Sequence, residues 1–197
     1  MAFLRSPGDD IRPVVRGERV VLRTPQMADY GPWAELRGRS RRELTPWEPQ
    51  WADDELTRAA FKVRLRHYDR ELRDQTGYAF FVFRRLDDVL IGGLTLTNVR
   101  RGVTQSGALG YWIGTPHAGR GYMTAAVSAV LDFAFDGLRL HRVEAACLPS
   151  NTASIRVLDK AGFQAEGKAR AYLKIDGIWQ DHLLFACLEG DRRPAGR

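Results

Sequence analysis

Between Tyr111 and Thr124 the chain reads Tyr-Trp-Ile-Gly-Thr-Pro-His-Ala-Gly-Arg-Gly-Tyr-Met-Thr. An apolar strand runs into a glycine-broken loop, and the loop opens a helix. Such a junction aims unpaired backbone N–H groups and the positive end of a helix dipole at one small volume, which suits a phosphate. Glycines at 119 and 121 let the backbone approach a ligand with no Cβ in the way. The plain alternative is a strand–loop–helix connection with two convenient glycines. Two nucleotide motifs are excluded: a P-loop ends Gly-Lys-Ser/Thr, whereas this loop continues Gly121-Tyr122-Met123. A dinucleotide fingerprint opens the first βαβ unit and carries a small residue where Thr124 stands.

A second segment sharpens the reading. Arg142 to Leu148 has strand alternation, with Val143, Ala145 and Cys147 on one face and Arg142, Glu144 and Ala146 on the other. Pro149-Ser150-Asn151 then caps a short helix that runs to Gly162-Phe163. The two segments, in this order and about 30 residues apart, closely resemble the cofactor motifs of the GNAT superfamily of N-acetyltransferases. The resemblance implies that the Gly119–Gly121 loop wraps the pyrophosphate of acetyl-CoA, that Asn151 contacts the pantetheine arm, and that Gly162-Phe163 packs the helix on the sheet. The cofactor-binding set it implies is Trp112, Ile113, His117, Ala118, Gly119, Arg120, Gly121, Tyr122 and Asn151, with no metal. The segments Leu44–Pro49, Leu140–Ala145 and Tyr172–His182 further resemble the ribosomal-protein alanine N-acetyltransferase branch (RimJ type), over about Val20 to Leu188.

The chemistry so implied is direct attack of an amine on a thioester. It needs a neutral amine, donors for a developing oxyanion and a proton for the departing thiolate. Backbone N–H groups on the strand ending at Trp112-Ile113 can serve the oxyanion. In the family the thiolate's proton usually comes from a Tyr seven residues after the helix Asn, but Leu158 stands there. Ser154, one turn inside that helix, is the best remaining hydroxyl, and a role in starting the helix explains it equally well. Glu144 is the candidate base, against the alternative that it pairs with Arg142. Asp181 and His182 fall on opposite faces of the last strand, so at most one faces a substrate. Trp47, Glu48, Tyr172 and Trp179 are the candidate acceptor-binding residues, with Glu48 orienting an amine unless its loop is structural. At neutral pH an α-amine carries roughly 400-fold more free base than lysine, so a weakly basic site favours an N-terminal acceptor, such as the alanine of a ribosomal protein. A small amine (a polyamine or antibiotic) is the alternative acceptor. A ribosome-associated factor with a vestigial CoA site is the alternative outside enzymology.

The elements that position these residues follow from periodicity. Val127, Val130, Leu131, Ala134 and Phe135 mark one face of the helix after the loop. Strands are expected at Arg19–Arg23, Tyr78–Phe83, Val89–Thr97 with a bulge at Gly92-Gly93, Ala108–Ile113 and Arg142–Leu148, and a last hairpin turns on Asp176-Gly177. Helices are expected from about Gln26 to Arg41 and from Asp53 to Arg73. The order β-α-α-β-β-β-α-β-α-β-β is an α+β fold, and the family resemblance implies a single-domain, mixed, mainly antiparallel sheet flanked by helices, whose fourth and fifth strands splay apart. The expected limits are an extension over 1–17, the acetyltransferase domain over 18–189 and a disordered tail over 190–197.

Composition is that of a globular chain, 44% hydrophobic over 197 residues. No stretch is long and apolar enough for a membrane span or a signal peptide, so the expected setting is cytoplasmic. Cys147 and Cys187 fall in apolar strands and read as buried thiols. With 30 basic and 24 acidic residues the net charge is +6, which suits CoA phosphates or a ribosomal surface as well as an ordinary basic exterior. Acetyl-CoA and a protein N-terminus are the expected partners, with no direct DNA binding and a monomer or homodimer.

Overall fold

The computed structural model describes residues 12–191; positions 192–197 of the expected tail lie outside them. Eight strands form one sheet in the order β1-β2-β3-β4-β5-β6-β8-β7. They are β1 (Val14–Arg16), β2 (Val20–Arg23), β3 (Tyr78–Arg84), β4 (Val89–Arg100), β5 (Ser106–Ile113), β6 (Arg142–Cys147), β7 (Gln164–Ile175) and β8 (Ile178–Leu188). Five helices flank it: α1 (Tyr30–Arg39), α2 (Arg41–Leu44), α3 (Arg58–Asp74), α4 (Tyr122–Asp132) and α5 (Thr152–Lys160). The α+β class stands, with two additions. Val14–Arg16, within the expected extension, turns at Gly17 and pairs with β2 as an edge strand. The first helix breaks at Ser40, whose N–H bonds both Leu36 O (3.2 Å) and Arg37 O (3.1 Å), the tightening typical of a helix end.

Local chemistry sets the other boundaries. Thr57 Oγ1 accepts from Ala60 N at 3.2 Å and starts α3 there, so the preceding acidic residues remain outside the helix. The bulge in the β3–β4 hairpin leaves Ile91 extra, because Val82 faces Gly92 while Phe83 faces Leu90. Asp176 and Gly177 both have positive φ (46° and 79°), as a type I′ turn requires.

The sheet has two differently built faces. On one, Val127, Val130, Leu131 and Phe135 of the α4 segment and Leu158 of α5 pack on Leu94, Leu96, Leu109, Val143 and Phe185. Each fully buried side chain of this size contributes about 1.5–3 kcal/mol. On the other, Phe81, Phe83 and Leu90 meet Trp33 and Leu36 of α1 and Phe61 of α3, with the Trp33 and Phe61 rings 4.7 Å apart. Among the described residues no helix is long and apolar enough to cross a membrane.

Sheet register makes the opening that matters. Strands β5 and β6 are the parallel pair, and their pairing runs from Ser106–Arg142 to Leu109–Ala145 and stops. Beyond it β5 follows β4 as far as Ile113, while β6 follows β8 as far as Cys147. The two strands separate there and leave a slot through the sheet. These are the strands expected to splay.

Candidate active site

The loop after β5 has backbone conformations that only its sequence allows cheaply. Gly119 and Gly121 lie at φ 72° and 78°, and Gly121 is the residue on which α4 begins. Thr115 N donates to the buried Ser40 Oγ at 2.9 Å, which ties the loop to the α1–α2 junction. Arg19 donates to Arg120 O at 2.9 Å while its guanidinium lies 4.7 Å from the centre of the Tyr122 ring. His117 is held below the usual histidine range, first by burial and then by Arg84, Arg120 and Arg39. Its neighbourhood is therefore positive without its own charge. A helix N-terminus, a glycine-cleared approach and surrounding arginines together fit a pyrophosphate.

One cavity of about 1150 Å³ runs from this loop through the slot to the opposite face. On the α4–α5 face it is lined by Gly119, Arg120, Gly121, Tyr122, Asn151 and Ser154, and along the slot by Tyr111, Trp112, Ile113, Ala146 and Cys147. On the α1–α3 face its walls include Trp33, Arg37, Trp47, Glu48, Trp51, Glu55 and His182. His117 and Ala118 also line it, so the whole expected cofactor set reaches one space.

Asn151 begins α5 by accepting from Ser154 N at 3.0 Å through Oδ1, so its amide NH2 keeps its donors. Ser154 Oγ lies 2.7 Å from Tyr111 Oη. Burial pushes the Tyr111 phenol up to about 12 against the opposing effect of its bond to Ser154. Burial likewise raises the Cys147 thiol, and Ser154 opposes that too. Both groups stay protonated at neutral pH. Tyr111 escapes a reading of the sequence because alternation marks it only as an apolar strand position; the signal is that it shares a face with Leu109 and Ile113, next to the slot.

Three expectations need correction. Glu144 does not line the cavity. It sits where β5 and β6 are still paired, opposite Ala108, and accepts from Arg142 Nε at 2.8 Å with Arg100 at 3.8 Å. Arg142 also holds Glu166, and its guanidinium is raised by these partners, Glu166 first. Glu48 lines the cavity but is already charge-paired: Arg37 grips both oxygens at 2.7 Å, and Trp51 Nε1 adds a bond to Oε2 at 2.8 Å. Trp179 is exposed and does not line the cavity; Tyr172 is also outside its lining but packs edge-on against His182, which with Leu173 and Ile175 does line it. Asp176 N donates to Glu48 O at 3.0 Å, so hairpin and Trp47–Glu48 loop do meet.

Arg37 is the hub that sequence reasoning missed. It is 6% exposed, lies 4.3 Å and 4.9 Å from the Trp51 and Trp112 ring centres, and joins α1 to the Glu48 loop and to β5. Gly93 makes room for Trp112, since a Cβ there would come within 2.4 Å of its indole nitrogen. Arg64 on α3 balances Glu55 in the same wall. No local pattern in the sequence announces pairs this far apart.

Comparison with known proteins agrees with this geometry. Residues 19–164 match the model of the acetyltransferase (GNAT) domain. The chain is 37% identical to the Bacillus subtilis protein named Probable N-acetyltransferase YjcK, over 90% of this chain and 98% of that one. It is 31% identical to the [ribosomal protein uS5]-alanine N-acetyltransferase of Escherichia coli, over 90% and 91%. The structure of Mycobacterium smegmatis RimJ in complex with CoA-disulfide superposes with a TM-score of 0.86 at 33% identity, covering 90% and 88%. With a glycine loop, a capped Asn helix and a slot between separated strands all in register, the chain belongs to the GNAT acetyltransferases and is an N-acetyltransferase of the RimJ-like kind.

Proposed function

We propose that this enzyme transfers acetyl from acetyl-CoA to the α-amine of a protein N-terminus, of the kind carried by an alanine-starting ribosomal protein. The likeness to the uS5-alanine enzyme and to RimJ supports the acceptor class. The observation that carries the reading is the charge state of the acceptor wall. A site for polyamines or aminoglycosides needs unpaired carboxylates close together. Here Glu48 is spent on Arg37 and Trp51, and Glu55 on Arg64, so among the lining carboxylates of the described residues only Glu43 at the exposed rim lacks a cationic partner, and the wall otherwise offers tryptophan faces and matched charge. That suits an extended peptide with a single amine at its tip.

Bound acetyl-CoA supplies an acyl group already activated as a thioester. The Gly119–Gly121 loop and the α4 N-terminus hold the diphosphate, and the Asn151 amide holds the pantetheine arm. Backbone N–H groups on β5 beyond Leu109, freed from β6, point oxyanion donors into the slot. Ser154 delivers a proton to the sulfur side.

Mass spectrometry of protein N-termini from cells with and without the gene tests the acceptor. Loss of acetylation on an N-terminal alanine or serine is expected. In vitro, peptides beginning with Ala or Ser are turned over faster than the same peptides with a blocked N-terminus and an internal lysine; turnover of spermidine well above any peptide overturns the reading.

A further inference from the structure

The Ser154 end of the slot accounts for a proton delivered to sulfur and leaves unexplained the one that the attacking amine must lose. The proton acceptors along the α1–α3 side of the cavity are quickly reduced. Glu48 and Glu55 are locked to arginines, and Glu43 is reached by Thr115 Oγ1 at 3.4 Å at the exposed rim. His117 belongs to the phosphate loop. His182 remains, and its surroundings are specific.

His182 is 2% exposed and lines the cavity. Strand β8 pairs Leu183 with Cys147 and Leu184 with Ala146, so His182 follows directly on the last rung of β6, at the mouth of the slot. Alternation puts Leu183 and Phe185 on the α4–α5 face and His182 on the other, where the acceptor enters. Its Nδ1 lies 2.9 Å from Gln180 O. A carbonyl oxygen can only accept, so Nδ1 carries the hydrogen and, in the neutral ring, Nε2 carries the lone pair. Among the described residues Nε2 has no hydrogen-bond partner, and it is not among the atoms sealed away from solvent. Tyr172 packs on the ring edge-on, with centroids 5.9 Å apart, and limits its rotation. This gives a buried imidazole with its tautomer fixed from behind and its basic nitrogen open to the acceptor side of the slot.

We infer that His182 is the general base of this enzyme, accepting through Nε2 the proton released by the acceptor amine. The step balances without any further reactant. The amine nitrogen bonds to the acyl carbon as the C–S bond breaks, one N–H proton passes to His182 Nε2, and the sulfur takes a proton from the Ser154 end. Solvent returns the proton from His182 and restores Ser154. Base and acid then stand on opposite faces of the sheet, one on each side of the reacting bond. An imidazole is the side chain best matched to an α-amine near neutrality, which extends the acceptor reading above and rests on it.

The test has two independent arms. In the free wild-type protein, 15N NMR of the histidine rings is expected to show His182 as the Nδ1–H tautomer. Protonation of the neutral ring on Nε2 overturns the inference whatever the kinetics. In the second arm His182→Gln lowers kcat about 100-fold with KM for acetyl-CoA within twofold, and added imidazole restores some of the activity of His182→Ala. A His182→Gln variant that folds and retains activity within threefold of wild type also overturns it. Should wild type ignore peptides and acetylate a small amine, the acceptor reading fails alone, and the His182 loss is measured on that amine.

Discussion

The two faces of the sheet meet in one cavity but are made of different materials. The α4–α5 face binds with backbone: a loop held by Gly119 and Gly121, two helix N-termini and one capping asparagine, all between residues 114 and 154. The α1–α3 face is made of side chains that hold one another, with Arg37 reaching Glu48, Trp51 and Trp112, and Arg64 reaching Glu55. The first offers the diphosphate proposed for it groups that every residue carries. The second gives the proposed acceptor a shaped, charge-balanced wall, joined to the first face at Thr115–Ser40 and Arg37–Trp112. A fold built this way keeps one co-substrate while its acceptor changes.

The contrast is sharpest where the backbone is altered. Gly121→Glu adds a side chain at φ 78° and puts a negative charge at the proposed diphosphate site. Acetyl-CoA binding measured by calorimetry is expected to fall at least 100-fold, while the circular dichroism of the fold persists. Affinity within tenfold of wild type would mean that the loop is only a connection.

On the other face the largest effect is on stability. Arg37→Leu leaves Glu48 in a partly buried wall without its bidentate partner, and breaking such a pair costs about 3–5 kcal/mol. Chemical denaturation should show that loss, and the double variant Arg37→Leu with Glu48→Leu should recover much of it. Acetyl-CoA affinity of the folded variant stays near wild type. If that affinity falls as far as stability does, the two faces are not separable.

This division decides what could be read from the sequence. Backbone sites write themselves as local words, so Gly119-Arg120-Gly121, the Asn151 cap and the α4 periodicity were legible as a loop, a cap and a helix, and the family likeness supplied the fold and the cofactor reading. The slot was legible only through family likeness, since nothing in Ala108–Ile113 or Arg142–Leu148 states where their pairing ends. Two carboxylates stayed ambiguous in the sequence for one reason. A carboxylate there can be free or paired, and three-dimensional pairing shows that Arg37 holds Glu48 and that Arg142 holds Glu144, the alternative already open for it. His182 suffers the opposite bias: a single histidine in a strand looks like packing until its partner carbonyl and open Nε2 are seen.

Within the slot the expected effects are smaller and separate hydroxyl from phenol. Ser154→Ala lowers kcat about tenfold with KM for acetyl-CoA unchanged, the pattern of an interaction made mainly in the transition state; a loss under threefold hands the proton to water. Tyr111→Phe is read in stability against pH. Because the folded phenol is raised to about 12 from an ordinary value near 10, the unfolded chain ionises first. Wild type therefore holds this contribution below pH 10 and loses it as pH climbs toward 12, by up to about 2 kcal/mol. The variant should lack that alkaline decline; an identical decline in both proteins would show that Tyr111 is not its source.

The smallest effect is expected at Glu144, and it tests where the slot ends. The residue stands only three positions before Cys147 on the same strand, yet β5 still pairs with β6 at its level, and Arg142 and Arg100 hold its carboxylate. Glu144→Gln removes the charge and keeps the shape, so a base at this position would cost orders of magnitude in kcat. The geometry instead predicts kcat and KM within twofold of wild type and a stability change under about 1 kcal/mol, the usual worth of a solvent-facing ion pair. A hundredfold fall in kcat would mean that β5 and β6 separate two rungs earlier during turnover than they do at rest. It would also move the base from the acceptor mouth at His182 to the floor of the sheet.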